Sequence, residues 1–176
     1  MATAIRSLEQ IYAVMGSIVN IKVLSVAGFD PSAGAGVLAD IKTFQTFDCH
    51  GLAVITCQTI QHEGDFKGLL EVDEKIIESQ IRLLFDRYDI QVVKVGMVVS
   101  FDQLKRIIDL IRSLNKEVRF VWDPILETST GFKVHSPLEI KKCFDLFGAK
   151  DLITPNKFEM ESVFGSVDKG VSNTNF

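Results

Sequence analysis

The chain has 176 residues with 47% hydrophobic and 24% charged side chains, which suits one globular domain with a sizeable core. Its formal net charge of -4 gives no basic footprint and argues against nucleic acid as the main partner. Three cysteines, Cys49, Cys57 and Cys143, are odd in number and lack C-x-x-C spacing, so they read as reduced thiols of a cytoplasmic protein and not as a zinc site. Residues 1–20 hold only a short, mildly apolar run after Glu9. This predicts neither a signal peptide nor a membrane span, but a leader or extension ahead of the domain.

The first element is an apolar run, Val23-Leu24-Ser25-Val26-Ala27, which suits a buried strand. It breaks at Gly28, crosses a loop with Asp30, Pro31 and Ser32, and enters a helical pattern at Gly34 and Gly36 in which Val37, Ile41 and Phe44 share one face. That order is expected to leave backbone N–H groups free at a helix N-terminus, a place for an anion or polar ligand, with Asp40 and Lys42 adding charge nearby. Residues 51–57 read as a second buried strand and 58–65 as a polar segment. Asp73 is the expected N-cap of a helix with Ile77, Ile81, Leu84, Phe85 and Tyr88 on one face.

A strand follows over 91–97. Ser100 and Gln103 then supply a capping box for a helix whose buried stripe is Leu104, Ile107, Ile108, Ile111 and Leu114. The strand 118–122 runs into Asp123-Pro124, which puts a carboxylate at the carboxyl edge of the sheet. Ser136, Pro137 and Glu139 open the next helix as N-cap, N1 and N3, with Ile140, Cys143, Phe144 and Phe147 inward and Gly148 closing it. A last strand and helix start span 151–159, followed by a polar tail, 166–176. Five strands alternating with helices predict an α/β fold, a mainly parallel sheet with helices on both faces.

The string Gly34-Ala35-Gly36-Val37-Leu38-Ala39 satisfies G-x-G-x-x-G/A, but the strand ends near Gly28, with Phe29 to Ala33 intervening, too early for a dinucleotide fingerprint. A P-loop is excluded because Lys42-Thr43 lies inside the helix. The glycines also admit a plain packing role. Taken whole, G-F-D-P-S-A-G-A-G over 28–36 followed by A-D-I-K-T over 39–43 resembles the N-terminal signature of the hydroxymethylpyrimidine/phosphomethylpyrimidine kinases of thiamine biosynthesis, in the ribokinase superfamily. Two positions depart from the usual form: Phe29 stands where a small Ser or Thr is usual, and Ala33 where Gly is. A second match is D-L-I-T-P-N-K-F-E over 151–159, the N-x-x-E motif of the superfamily. Asn156 at N-cap and Glu159 at N3 are equally a capping box, so a structural and a functional reading both stand.

The resemblance implies a ribokinase-like fold and ATP- and Mg²⁺-dependent phosphorylation of a small molecule, hydroxymethylpyrimidine or its monophosphate. It implies substrate contacts at Gly28, Ala35, Asp40, Gln61 and Met97. Gln61 would pair its amide with a ring nitrogen and the neighbouring amine of the aminopyrimidine, with Gln58 as the alternative. Met97 would line the pyrimidine pocket or serve only as core. Asp123, Asn156 and Glu159 would lie on the phosphate and metal side, although Asp123 also reads as an Asp-Pro turn. The resemblance covers about 21–165, the N-terminal part of such a kinase, so a C-terminally incomplete fold is expected. In the family the Gly-Thr-Gly anion hole and the catalytic base come later. No Gly-Thr-Gly occurs here and no catalytic residue is found, so the chain alone is expected to be inactive and to leave apolar surface uncovered. Pyridoxal kinase is the alternative of the same class, and non-catalytic pyrimidine binding the alternative of another. No membrane partner is expected, and a homodimer is compatible with everything above.

Overall fold

The computed structural model describes residues 21–128 and 131–165; the expected leader 1–20 and tail 166–176 lie outside the described residues. The elements are β1 Lys22–Phe29, α1 Gly36–Thr46, β2 His50–His62, β3 Asp65–Glu71, α2 Glu74–Arg87, β4 Ile90–Val95, α3 Phe101–Leu114, β5 Arg119–Trp122, α4 Pro137–Cys143, β6 Leu152–Ile153 and α5 Lys157–Phe164. The strands form one sheet in the order β3-β2-β1-β4-β5-β6. Every neighbouring pair is parallel except β2–β3. The architecture is therefore the mainly parallel α/β sheet that the alternation of elements predicts, with one strand more.

That extra strand corrects the reading of 58–65 as a polar segment. β2 continues through it to His62, turns at Glu63-Gly64 and pairs antiparallel with β3, from Cys57↔Glu71 to His62↔Asp65. Only one face of this ribbon is covered: Thr59 is buried while Ile60 is 56% and Leu70 65% exposed. A half-covered edge hairpin carries a weak apolar alternation, which is why its sequence looks like a loop.

β1 sits centrally and is buried along six consecutive residues, as its near-continuous apolar run requires. Leu24 and Val26 join Leu52 and Val54 of β2 in one cluster with Ile77 and Ile81 of α2, Ile107, Ile108 and Ile111 of α3, and Ile140 of α4. Val37 of α1 is buried outside that cluster, against β1 and β2, so α1 covers the other face. Gly51 permits that approach, because a Cβ there would meet Ile41 Cδ1 at 2.8 Å. From β1 the chain crosses one face to β2, and from β4 it crosses the opposite face to β5. The carboxyl ends of β1 and β4 therefore form a topological switch point, where open α/β sheets have their crevice.

Local capping follows the sequence closely, with four corrections. Asp73 caps α2 through Lys75 N, and Ser136 with Glu139 forms the full capping box of α4. At α3, Ser100 accepts from Gln103 N, but the Gln103 side chain accepts from Val99 N, not from the cap residue. Leu114, expected in the stripe of α3, is 38% exposed because it lies at the helix end. β4 stops at Val95, so Gly96 and Met97 lie beyond the strand. α4 ends at Cys143 and tightens into a 3₁₀ turn, Phe144–Leu146; Phe147 then stacks on buried Trp122 at 4.9 Å, and Gly148 is not the helix end. Along the β6–α5 side Leu152, Phe158 and Phe164 are each more than half exposed.

Candidate functional site at the carboxyl edge of the sheet

The loop between β1 and α1 is built around Asp30, which is 4% exposed. Its carboxylate accepts from Ser32 N and Ser32 Oγ through one oxygen, and from Gly34 N (3.1 Å) and Ala35 N (2.9 Å) through the other. The expectation of free N–H groups at Gly34 thus needs correction: those donors serve Asp30. Burial alone would raise the Asp30 pKa, but these hydrogen bonds outweigh it and leave it lowered, so the residue stays ionised. α1 begins at Gly36, not Gly34.

Two unusual backbone conformations shape this loop. Gly36 has φ +59°, and Ala33 has φ 59°. The left-handed region costs a residue with a Cβ about 1–2 kcal/mol, which explains why glycine is the usual residue of the resembled signature at Ala33. Ala33→Gly relieves that strain but loses about 0.4–1 kcal/mol to the greater freedom of glycine in the unfolded chain. The expected result in urea denaturation is unchanged or slightly raised stability. A fall of more than about 1 kcal/mol would show that the Ala33 methyl is held by packing.

A cleft of about 290 Å³ opens at the switch point, lined by Gly28 near the end of β1 and Ala35 of the following loop, by Asp40, Gln61 and Lys94, and by Met97, Asp123 and Ile125 beyond the strands. Six of the residues singled out in the sequence thus meet in one place: Gly28, Ala35, Asp40, Gln61, Met97 and Asp123. Thr59 and Gln61 face the cleft while Gln58 is exposed and lies outside it. Two threonines of β2 fix the walls: Thr59 Oγ1 donates to Phe29 O at 2.9 Å, and buried Thr56 Oγ1 donates to Met97 O at 2.6 Å. Met97 is 9% exposed, so it is core and cleft wall at once. A Cβ on Gly28 would lie 3.1 Å from Cys57 Sγ and 3.4 Å from Met97 Sδ, so a side chain there would press on both sulfur atoms. Phe29 adds an aromatic wall.

Lys94 is the site residue that sequence reasoning missed. It lies in register with Ser25 across β1 and β4, and both point towards Asp40 on α1. Asp40 accepts from Ser25 Oγ at 2.6 Å through one oxygen and pairs with Lys94 Nζ at 3.1 Å through the other. The same ammonium lies 3.8 Å from Asp123 Oδ2. Burial raises the Asp123 pKa and the Asp40 charge adds to this, while Lys94 opposes both. A lysine in the middle of a buried parallel strand was the available signal, since an inward charge there needs a partner.

Asn156 and Glu159 lie outside the lining of this cleft. Together they make the complete capping box of α5: Glu159 N donates to Asn156 Oδ1 at 3.0 Å, and Asn156 N to Glu159 Oε2 at 2.7 Å. The Leu126 amide donates to the same carboxylate, tying the loop after β5 to α5. Glu159 is 4% exposed; burial raises its pKa, and the nearby Asp123 charge adds to that. The structure thus brings the two acids within electrostatic reach and gives Glu159 the structural role that its spacing admits.

The sequence profile of phosphomethylpyrimidine kinases matches residues 30–174. The chain belongs to the phosphomethylpyrimidine kinase family. A hydroxymethylpyrimidine/phosphomethylpyrimidine kinase of Aquifex aeolicus is 32% identical over 151 residues, covering 84% of this chain and 58% of that protein. Among solved structures, the phosphomethylpyrimidine kinase of Clostridium difficile 630 aligns with a TM-score of 0.70 at 32% identity, covering 83% of this chain and 63% of that one. A pyridoxal kinase of Staphylococcus aureus in complex with AMP-PCP and pyridoxal aligns at 0.68 and 27% identity, covering 82% and 51%. This member of the phosphomethylpyrimidine kinase family spans less than two thirds of the length of each of these relatives. The ribokinase-like fold implied by the sequence is the one they share.

Proposed function

We propose that the cleft at the β1–β4 switch point is the substrate site of an ATP- and Mg²⁺-dependent kinase of hydroxymethylpyrimidine or its monophosphate. The observation that carries this reading is the meeting of Gln61, Met97, Gly28 at the end of β1 and Ala35 of the following loop in one cleft. The Gln61 amide offers one acceptor and two donors, which suit a ring nitrogen and the amine beside it. Met97 and Ile125 give an apolar wall for a flat ring, and Gly28 leaves room for its close approach. Pyridoxal has no amine beside its ring nitrogen, so the acceptor half of Gln61 would go unused, which favours the pyrimidine.

Asp123 stands on the metal side, its side chain 42% exposed. Among the described residues no group of three His, Cys, Asp or Glu could cage an ion. Magnesium takes one or two carboxylates and fills its remaining positions with water and phosphate oxygens, so an exposed acid such as Asp123 suits it. When bound, magnesium supplies neutralisation of charge on the transferring phosphoryl group. Free cysteines fit a reducing, cytoplasmic setting. Among the described residues no helix is long and apolar enough to cross a membrane.

Calorimetry with hydroxymethylpyrimidine tests the reading. Gln61→Ala is expected to weaken binding by about 1–3 kcal/mol, the cost of a lost amide contact. Gln58→Ala, on the exposed side of the same strand, is expected to leave it unchanged. Equal affinities for wild type and Gln61→Ala would remove Gln61 from the site.

A further inference from the structure

We propose that Lys94 is a positioning residue that acts as the internal counter-ion of the cleft: held by Asp40, which Ser25 fixes in turn, its ammonium holds Asp123 and fills the space that a bare divalent cation would otherwise take between the two carboxylates. The placement is a built one. Lys94 Nζ lies 3.1 Å from Asp40 Oδ1 and 3.8 Å from Asp123 Oδ2, and Asp40 is itself fixed by Ser25 Oγ at 2.6 Å. The ammonium folds back over Gly96, where a Cβ would come within 2.9 Å of Nζ and of Ala27 Cβ. Gly96 therefore keeps the slot open in which the ammonium lies. The side chains of Lys94 and Asp40 are only 18% and 15% exposed, so solvent screens this pair weakly.

The consequence concerns what the cleft accepts. Two carboxylates around one spot, with no cation of their own, attract a hard divalent ion whether or not it brings phosphate. With Lys94 in place Asp40 is neutralised and a bare ion meets a positive charge. An ion that arrives with phosphate oxygens meets the same ammonium as an attraction. Lys94 thereby biases the site towards metal–phosphate complexes and against metal alone. Asp40 acts through Lys94, since both its oxygens are engaged.

This inference rests on the reading that Asp123 faces the metal, and the test keeps the two apart. Mn²⁺ is the probe, titrated without nucleotide and followed by electron paramagnetic resonance, with circular dichroism to establish folding. Lys94→Met is expected to bind Mn²⁺ at least about tenfold more tightly than wild type, because a neighbouring positive charge is gone. Lys94→Gln, which keeps a donor for Asp40, is expected to do the same, and Lys94→Arg to behave as wild type. Adding Asp123→Asn to Lys94→Met should abolish the gain. Unchanged or weaker Mn²⁺ binding in whichever of the Met and Gln variants folds would overturn the proposal. So would a gain that survives Asp123→Asn. The metal role of Asp123 itself fails separately, if Asp123→Asn in the wild-type background leaves Mg²⁺–ATP affinity unchanged.

Discussion

Gly36→Ala is expected to destabilise the domain by about 3 kcal/mol or more, the range reached only by named structural faults such as strained backbone and overpacking. A Cβ on Gly36 would lie 2.1 Å from Gly28 O and 3.1 Å from Gly28 C. The obstacle is the backbone of β1, which pairs with β2 on either side of Gly28, at Ala27↔Ile55 and Phe29↔Gln58, and cannot retreat as a flexible side chain would. The φ of +59° adds the left-handed penalty. The loop would have to move as a unit, breaking the bonds from Gly34 N and Ala35 N to Asp30. Urea denaturation reads this as a lower midpoint at unchanged slope. A loss below about 1 kcal/mol would mean that the loop does not approach the strand this closely.

Asp151→Ala is expected to cost about 3 kcal/mol, because two backbone amides and the Arg112 guanidinium lose their shared acceptor at once. The Asp151 side chain is fully buried; it accepts from Gly148 N at 2.7 Å, from Phe120 N at 3.0 Å and from Arg112 at 2.6 Å. It joins α3 to the edge of β5 and to the entry of β6. Burial would raise its pKa, but the two amides and the guanidinium outweigh this and leave it lowered. A lowered carboxylate pKa means that the unfolded chain binds its proton first as pH falls. The stabilisation is therefore complete above the ordinary carboxylate value of about 3.9 and is lost below it, down through the lowered folded value. Asp151→Asn should be much less stable than wild type at neutral pH, with the gap closing in acid. A gap that stays constant from neutral pH to about pH 3 would contradict this linkage.

The sequence made the sheet legible where burial is two-sided or capping is local. The apolar run of β1, the stripe of α3 and the boxes at Ser136 and Asn156 each read directly onto the structure. It hid the β2–β3 hairpin because an edge ribbon with one covered face needs no strong alternation. It hid the occupation of the loop amides because Asp30 reaches them only once the loop has curled. For the cleft, the acid-proline step at a strand end suggested Asp123, while Gln61 and Met97 came from the resemblance, because a glutamine or methionine by itself reads as loop or core; the structure brings all three to the switch point. Lys94 escaped notice because its partners, Asp40 and Asp123, come from other elements and meet it only across the sheet. The N-x-x-E string was ambiguous for a physical reason: the spacing that places a glutamate for a site is also the spacing of a capping box, and the structure shows the box formed.

The central claim, that the switch-point cleft takes an aminopyrimidine, is tested most directly by ¹⁵N-edited nuclear magnetic resonance of the protein titrated with hydroxymethylpyrimidine. The account predicts saturable shifts concentrated on the Gln61 side-chain amide and on the backbone amides of Gly28, Ala35 and Met97, with Gln58 unaffected and pyridoxal producing weaker changes at the same ligand concentration. No shifts at these positions, or shifts gathered instead in the groove between α2 and α3 around Arg106 and Leu110, would contradict it.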